Sequence, residues 1–343
     1  MVALELEMEK KSLYRLNVLQ YNPIKIDSFY ENYSIDSLVN NFDFEELTKR
    51  YKQKFGYSKL KTFSFSKEGF LGLFLELRGK IAVSVGECEA LINGAKLYES
   101  LGFEIIWLSL NKDGKVNLKK IENENIDFLF LSSYVMDTFV ITSLEEAKKL
   151  TTAKIISNAS AQICDLSDVI YFDNYKLCGY ALSGVLLFED ENLFELLNIG
   201  FIDTLAVKYC FEALENQEFN YEIKEKFEKK LKEKFGEDLY FFVNPNDTLP
   251  YSLHFALKGI KARELIRTLA LNQIFLTNGE GCSLGLSKPS RIIQAMGYDE
   301  LTSRNSIQIA FNHFFSDEEI EKIVNLIYLK YKQIKSFFSY IFL

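Results

Sequence analysis

The stretch Ile81-Ala-Val-Ser-Val85 is an almost wholly apolar run, and this pattern predicts a buried β-strand. The residues that follow it, up to Leu101, repeat apolar side chains at near-helical spacing before Gly102 ends the pattern. A buried strand followed by an amphipathic helix is the unit from which parallel sheets are built. This stretch therefore favours an α/β fold.

The same alternation continues towards the carboxyl terminus. A capping box at Ser143-Leu-Glu-Glu146 predicts the start of a helix that runs to Leu150. Further short apolar runs predict strands at 104–108, 128–132, 155–157, 169–172 and 184–188. Strands that are apolar throughout and separated by helices indicate a mostly parallel sheet covered on both faces.

Beyond residue 200 the pattern changes to a long helical stretch, in which the charged run 221–235 is typical of a solvated helix face. A second capping box, Ser316-Asp-Glu-Glu319, opens the last predicted helix, which runs to Lys335 or beyond. Between these helices the sequence predicts strands at 252–257 and 306–311 and helices at 262–272 and 289–296. Segregated elements of this kind indicate a small α+β domain.

The predicted organisation therefore has three parts. Residues 1–44 form an N-terminal segment, residues 45–203 a large α/β domain, and residues 204–343 a small C-terminal α+β domain. The composition agrees with folded domains, because 48% of the 343 residues are hydrophobic.

Composition also excludes several classes of function. With 40 basic and 48 acidic residues the net charge is −8, which provides no electrostatic footprint for nucleic acid or an anionic membrane. The longest apolar stretch, Phe70–Leu77, is far shorter than the roughly 20 residues of a membrane span. The acidic opening 1–9 is unlike a signal peptide. We therefore expect a cytoplasmic protein that binds small molecules or other proteins.

The cysteine and histidine content argues against a disulfide framework or a metal site. The five cysteines are odd in number and are never closer than 14 residues, so no CxxC pair exists. Only two histidines, His254 and His313, are present, which is too few for a histidine-rich metal centre.

Two places carry residues that a packed core does not need. Lys176 follows a predicted buried strand, at the carboxyl end of the sheet where open α/β folds place ligands. Cys282 lies in the glycine-rich stretch 277–285, where a thiol is exposed enough to act as a nucleophile. The plain alternatives are a solvated loop lysine and an inert cysteine.

In order and spacing these features resemble the cysteine desulfurases, class-V members of the fold-type-I pyridoxal-phosphate (PLP) enzymes. The resemblance covers roughly residues 45–335, while the opening of the chain shows no family signature. The stretches that carry it are Gly281-Cys-Ser-Leu-Gly-Leu-Ser-Lys-Pro-Ser-Arg-Ile-Ile-Gln-Ala-Met-Gly-Tyr-Asp-Glu-Leu301, Ser306–Ile320, Tyr98–Leu118 and Asp168–Phe188. The resemblance implies a fold-type-I large domain in which Lys176 forms the Schiff base and Cys282 is the persulfide-forming nucleophile.

At the cofactor the resemblance also shows substitutions. Asn158 stands where the family has the aspartate that keeps the pyridine nitrogen protonated, and an amide carries no charge to hold that proton. Cys88 replaces the histidine that stacks on the ring, and Tyr175 replaces the usual histidine beside the lysine. Asp173 replaces a phosphate-binding hydroxyl, and a carboxylate repels a phosphate dianion.

The phosphate cup and the substrate clamp are altered as well. The family's Gly-Ala-Thr turn matches Phe65-Ser66-Lys67, where Lys67 either supplies a charge to the phosphate or pairs with Asp173. Met136 matches the asparagine near the phenolic oxygen of the cofactor. Gln308 matches the arginine that binds the substrate carboxylate; Arg304, four residues earlier, is a candidate replacement. His313 falls where a second arginine is usual.

Three functions follow from the resemblance. The first is a PLP-dependent cysteine desulfurase-like enzyme, a homodimer that acts on a small amino acid, cysteine, and passes sulfur to an acceptor protein. The second is a catalytically degenerate homologue that keeps the fold as a binding or regulatory protein. The third is a class-V aminotransferase acting on another amino substrate.

Overall fold

The fold is taken from a computed structural model, which describes residues 13–17, 42–122, 124–195, 197, 202–217, 221–279, 288–311 and 314–341. The strands of this part of the chain are β1 (Tyr14–Arg15), β2 (Lys59–Phe63), β3 (Ile81–Ser84), β4 (Ile105–Leu108), β5 (Phe128–Phe130), β6 (Lys154–Asn158), β7 (Val169–Phe172), β8 (Gly184–Phe188), β9 (Leu239–Tyr240), β10 (Ser252–Leu257), β11 (Ile274–Phe275) and β12 (Ser306–Ala310). The helices are α1 (Phe42–Phe55), α2 (Lys67–Glu76), α3 (Glu89–Ser100), α4 (Leu144–Leu150), α5 (Asn174–Cys178), α6 (Thr204–Glu215), α7 (Ile223–Phe235), α8 (Ala262–Ala270), α9 (Arg291–Ala295), α10 (Glu300–Ser303) and α11 (Asp317–Ile341).

A seven-stranded sheet in the order β2-β8-β7-β6-β5-β3-β4 forms the centre of the large domain. Its pairs β4–β3, β3–β5, β5–β6 and β6–β7 are parallel, whereas β8 is antiparallel to both of its neighbours. The expected mostly parallel α/β sheet is therefore confirmed.

Apolar side chains project from both faces of this sheet. In β7, Val169 and Tyr171 belong to one buried cluster, while Ile170 and Phe172 belong to another on the opposite face. The first cluster includes residues of α2, α3 and α4, and the second includes residues of α6. Because both faces are covered by helices, the strands have no polar face, which explains their continuous apolar runs.

A three-stranded antiparallel sheet, β12-β10-β9, forms the small domain together with α7, α8 and α11. Strand β1 also joins this part of the structure, because Tyr14 pairs with Ile274 of β11 in a short parallel sheet. Tyr14 and Leu16 are buried in the small-domain core. The boundaries at residues 44 and 203 remain a prediction.

Local capping agrees with the sequence at both predicted capping boxes. Ser143 Oγ accepts a hydrogen bond from the Glu146 amide at 3.1 Å. Around Ser316 the exchange is reciprocal, because its Oγ accepts from the Glu319 amide and its own amide donates to Glu319 Oε2. In the part of the chain that is described, no helix combines the length and the apolar character needed to span a membrane.

Some elements differ from what the sequence indicated, and two of them bear on the argument. The helix predicted from residue 289 begins at Arg291, because Ser290 acts as its N-cap by accepting from the Ile293 amide. Strand β2 has no counterpart among the predicted elements. It pairs with β8 alone and carries Lys59 and Lys61, so its pattern is not that of a buried strand.

Helix α2 begins with a tight approach between its first turn and the chain before it. Ser66 is the N-cap, and its Oγ accepts from the Gly69 amide at 3.2 Å. A Cβ atom on Gly69 would lie 1.7 Å from the backbone oxygen of Ser64, whereas one on Gly72 would meet nothing within 4 Å. The turn 64–66 can therefore fold over the helix only when residue 69 is glycine.

These two glycines of one helix provide a matched pair for testing this contact. We expect Gly69→Ala to lower stability by about 1–3 kcal/mol or more, because backbone must move to admit the methyl group. Gly72→Ala should instead raise stability by about 0.5–1 kcal/mol, since alanine is the better helix former. Thermal unfolding followed by circular dichroism measures both, and equal effects of the two substitutions would contradict the close approach.

Candidate functional site

Lys176 lies where the sequence placed it, in the short helix α5 directly after β7. Asp173 is the N-cap of this helix, and its Oδ1 accepts hydrogen bonds from the amides of Tyr175 (3.0 Å) and Lys176 (3.3 Å). Gly179 ends the helix with a φ of +84°, a conformation that glycine adopts without strain. The Lys176 ammonium Nζ lies 3.6 Å from the sulfur of Met136.

Asn158 is the last residue of β6 and is fully buried. Its Oδ1 accepts from the Ser160 amide at 3.0 Å, while its Nδ2 has no hydrogen-bond partner. Ser160 Oγ in turn accepts from the Asp173 amide at 2.8 Å. A continuous chain of hydrogen bonds thus links Asn158 to the helix that carries Lys176.

The loop after β3 brings Cys88 to the same edge of the sheet. Cys88 is buried. The pKa of the Tyr171 hydroxyl on β7 is raised well above its usual value, chiefly by burial and to a smaller extent by Cys88. Within this loop the carbonyl of Gly86 accepts from the Met136 amide at 2.9 Å. Cys88, Met136, Asn158 and Lys176 therefore gather around the carboxyl ends of the parallel strands, as ligand-binding residues do in open α/β folds.

Glu87 is a site residue that sequence reasoning missed. It is only 1% exposed, and its carboxylate accepts from the Ser132 amide (2.6 Å), the Ser132 hydroxyl (2.8 Å) and the Tyr171 hydroxyl (3.3 Å). Burial disfavours the charged form and raises the pKa of this carboxyl to about 7, although the Ser132 hydrogen bonds oppose the shift. The only local signal was an acid directly after the glycine that follows a buried strand.

Arg291, the first residue of α9, fixes the loop that carries Glu87 and Cys88. Its guanidinium donates to the carbonyl of Val85 at 2.6 Å and to the carbonyl of Glu87. These hydrogen bonds join the segment after residue 288 to the carboxyl edge of the large sheet.

Ser66 and Lys67 lie at the start of α2. Lys67 does not form the ion pair with Asp173 that was one of its two predicted roles. Lys67 Nζ instead lies 3.5 Å from Glu68 Oε1, and both side chains are more than half exposed. Asp173 uses its carboxylate to cap α5. Tyr175, beside the lysine, is half exposed.

The two residues predicted to bind substrate make different contacts. Gln308 lies on β12 and is buried, and its backbone N–H donates to the Thr277 carbonyl at 2.7 Å. Arg304 forms an ion pair through its Nη2 with Glu300 at 2.5 Å. The predicted nucleophile Cys282 and His313 lie outside the described residues.

Contacts around Asp137 join the loop that carries Met136 to the segment next to β12. Asp137 has a positive φ of 59° and its Oδ2 accepts from the Ser290 hydroxyl at 2.7 Å. Gly279 packs so closely on Asp137 that a Cβ would lie 2.1 Å from Oδ1. Asp137 thus contacts both Gly279 and Ser290, and Gly279 lies two residues after Thr277, which pairs with Gln308.

Among the described residues no group of three or more His, Cys, Asp or Glu side chains is arranged to hold a metal ion. The polar groups of this region are a lysine, an amide, hydroxyls and buried acids.

The raised pKa of Glu87 predicts how the free energy of unfolding depends on pH. Because the pKa of Glu87 is raised from its ordinary 4.5 to about 7 in the folded state, its contribution is complete below pH 4.5 and is lost as pH rises through 7. Between these values the free energy of unfolding should fall by up to about 3 kcal/mol from this group. In Glu87→Gln this fall should be absent.

Denaturant unfolding at a series of pH values between 4.5 and 8 measures the effect. Glu233→Gln is the control, because Glu233 is exposed and should leave the slope unchanged. A Glu87→Gln protein with the same pH slope as the parent would contradict a buried, protonated Glu87.

Comparison with known proteins agrees with this fold. No family model matches the chain. The cysteine desulfurase IscS of Pseudomonas putida (strain W619) is 22% identical over an alignment of 284 residues that covers 72% of this chain and 69% of the relative. The cysteine desulfurase IscS of Rickettsia prowazekii (strain Madrid E) is 21% identical over 293 residues, covering 74% and 70%.

Solved structures show the same relationship at the level of the fold. A NifS-like protein superposes with a TM-score of 0.70 and 15% identity, covering 96% of this chain and 100% of that one. SspA, solved in complex with cysteine, gives a TM-score of 0.66 and 14% identity, covering 89% and 100%. The expected fold class is confirmed, and in sequence the chain is a divergent relative of the cysteine desulfurases.

Proposed function

We propose that this protein is a PLP-dependent enzyme of the cysteine desulfurase kind, in which Lys176 attaches the cofactor and Cys282 accepts the sulfur. The observation that carries the proposal is the buried Asn158 side chain, whose Nδ2 has no partner and lies on the hydrogen-bonded chain that leads to Lys176. An unpartnered buried donor costs about 1–3 kcal/mol, so a ligand acceptor at this point is favoured.

The residues around Asn158 suit a pyridine ring. Because the Ser160 amide donates to Oδ1, the side chain is oriented with its NH₂ group left to donate. A pyridine nitrogen without a proton is an acceptor for such a donor. The fit is therefore to the unprotonated ring, since an amide has no charge with which to hold a pyridinium proton.

The phosphate is better accommodated at α2 than at α5. At α5 the carboxylate of Asp173 already accepts the amides of Tyr175 and Lys176, and its charge would repel the phosphate. At α2, Lys67 carries a positive charge and the first amides of a ten-residue helix lie beside Ser66. We propose that Lys67 and Ser66 hold the phosphate.

When bound, PLP supplies an electron sink for the carbon that bears the amino group of the substrate. Lys176 is positioned for proton transfer at its Nζ, because the Asp173 cap fixes the start of its helix. Glu87 holds or releases a proton near neutral pH behind Cys88, which its raised pKa allows. Cys282 supplies the thiolate that attacks sulfur.

A second candidate is the catalytically degenerate homologue, and one observation favours it. The Asp173 carboxylate takes the two amides at the start of α5, which a bound anion would otherwise accept. In this reading the fold and its surface are kept for binding a partner, and Lys176 forms no bond to PLP. The homodimer and the sulfur-acceptor protein remain proposals that follow from the resemblance.

Addition of PLP to the purified protein separates the two candidates. We expect a visible absorbance band, and a mass increase at Lys176 after borohydride reduction, because the lysine is held at the edge that carries Asn158. Lys176→Ala should lose both signals, while Lys96→Ala, an exposed lysine on α3, should retain them. A protein that stays colourless with excess PLP would rule out the enzyme and support the degenerate homologue.

If the protein binds PLP, sulfide release from cysteine tests the role of Cys282. Cys282→Ser should abolish release while it leaves the absorbance band unchanged, because the thiol acts on sulfur and not on the cofactor. Sulfide release that persists in Cys282→Ser would contradict the persulfide step.

A further inference from the structure

The small-domain sheet presents two buried polar side chains to the large domain. In the antiparallel pair β10–β12, His254 lies directly opposite Gln308. The alternate residues of these strands, including Phe255 and Ile307, fill the small-domain core, whereas Ala256 packs in the core of the large domain. His254 and Gln308 therefore share the face that looks towards the large domain.

Neither side chain is satisfied by the protein. His254 is 2% exposed and both of its ring nitrogens lack a hydrogen-bond partner. Gln308 is 4% exposed and its Nε2 also has none. Buried polar groups are nearly always paired in folded proteins, so three unpartnered nitrogens on one sheet face point to a ligand.

The position of the pair connects it with the proposed site. Thr277 forms an antiparallel bridge with Gln308, and its hydroxyl accepts from the Gly279 amide at 3.1 Å. Gly279 packs on Asp137, and the neighbouring Met136 contacts Lys176. The pair is thus joined through a series of direct contacts to the loop that touches Lys176.

His254 and Gln308 are both uncharged, so the pair suits an uncharged group of a ligand. Burial lowers the pKa of His254 to about 3, so the imidazole is neutral and offers one N–H donor and one acceptor. Gln308 adds an NH₂ donor. The described arginines nearby are engaged elsewhere, Arg304 with Glu300 and Arg291 with the carbonyls of Val85 and Glu87. On the facing loop Asp137 packs against Gly279, and its negative charge would repel a carboxylate.

We infer that His254 and Gln308 form a binding site for the amide group of an α-amino amide. The amide carbonyl accepts from Gln308 Nε2 and the imidazole N–H, and the amide N–H donates to the other imidazole nitrogen. A free amino acid is disfavoured, because His254 and Gln308 bring no positive charge to its carboxylate. Phe242, whose ring centroid lies 5.9 Å from that of His254, gives the site an apolar wall. The inference rests on the proposed function for the role of Lys176 and names the substrate class of that site.

Calorimetric titration of the purified full chain with L-serinamide and with L-serine tests the inference. These probes resemble a cysteine amide and cysteine but lack the thiol, which reacts with PLP. We expect the amide to bind at least about tenfold more tightly than the acid, as one buried charge without a partner costs at least that factor. Gln308→Leu should weaken amide binding about tenfold, and Gln308→Arg should reverse the preference.

Arg267→Ala is the control, because Arg267 is an exposed arginine of α8 and its loss should leave both affinities unchanged. Gln308→Glu, of nearly equal volume, replaces Gln308→Leu if that variant unfolds, and it should also weaken amide binding. Equal or tighter binding of serine, or no binding of either probe, would overturn the inference. A preference for the amide in a protein that never binds PLP would contradict the proposed function alone, and a PLP-binding protein that prefers serine would contradict this inference alone.

Discussion

The parallel pairing of β6 with β7 is the constraint on which the site depends. The register Asn158↔Tyr171 aligns the ends of the two strands, so the segments that follow them leave the sheet at the same edge. Ser160 then receives the Asp173 amide, and Asp173 receives the amide of Lys176. A shift of one residue in this register would turn Asn158 to the other face of the sheet and separate it from the lysine.

The polar groups of this region bring more acidic than basic side chains together. Glu87, Asp137 and Asp173 are all buried. Arg291 also reaches this area, but its guanidinium donates to the backbone carbonyls of Val85 and Glu87. Around Asp137 these acids disfavour further negative charge on a ligand. The amide at Asn158 and the imidazole at His254 extend the same uncharged character from one domain to the other.

Much of the fold could be predicted from the sequence, because strands buried on both faces leave apolar runs such as Ile81–Ser84, and helix starts leave capping boxes such as that of Ser316. Lys176 was predicted because it follows such a run. Strand β2 was missed, since Lys59 and Lys61 interrupt the apolar run that marks the other strands of the sheet. The pairing of His254 with Gln308 depends on cross-strand register between distant segments, and the burial of Glu87 depends on a loop fixed by Arg291, so no local pattern shows either.

The short parallel pair between β1 and β11 has a consequence for the order in which the protein is assembled on the ribosome. Tyr14 is made well before its partner Ile274, which lies 260 positions further along the chain. The large domain between them can complete its sheet first, because all seven of its strands precede residue 189. The small-domain core combines Tyr14 with residues of α11 such as Tyr331, so this core can be completed only after α11 has been made.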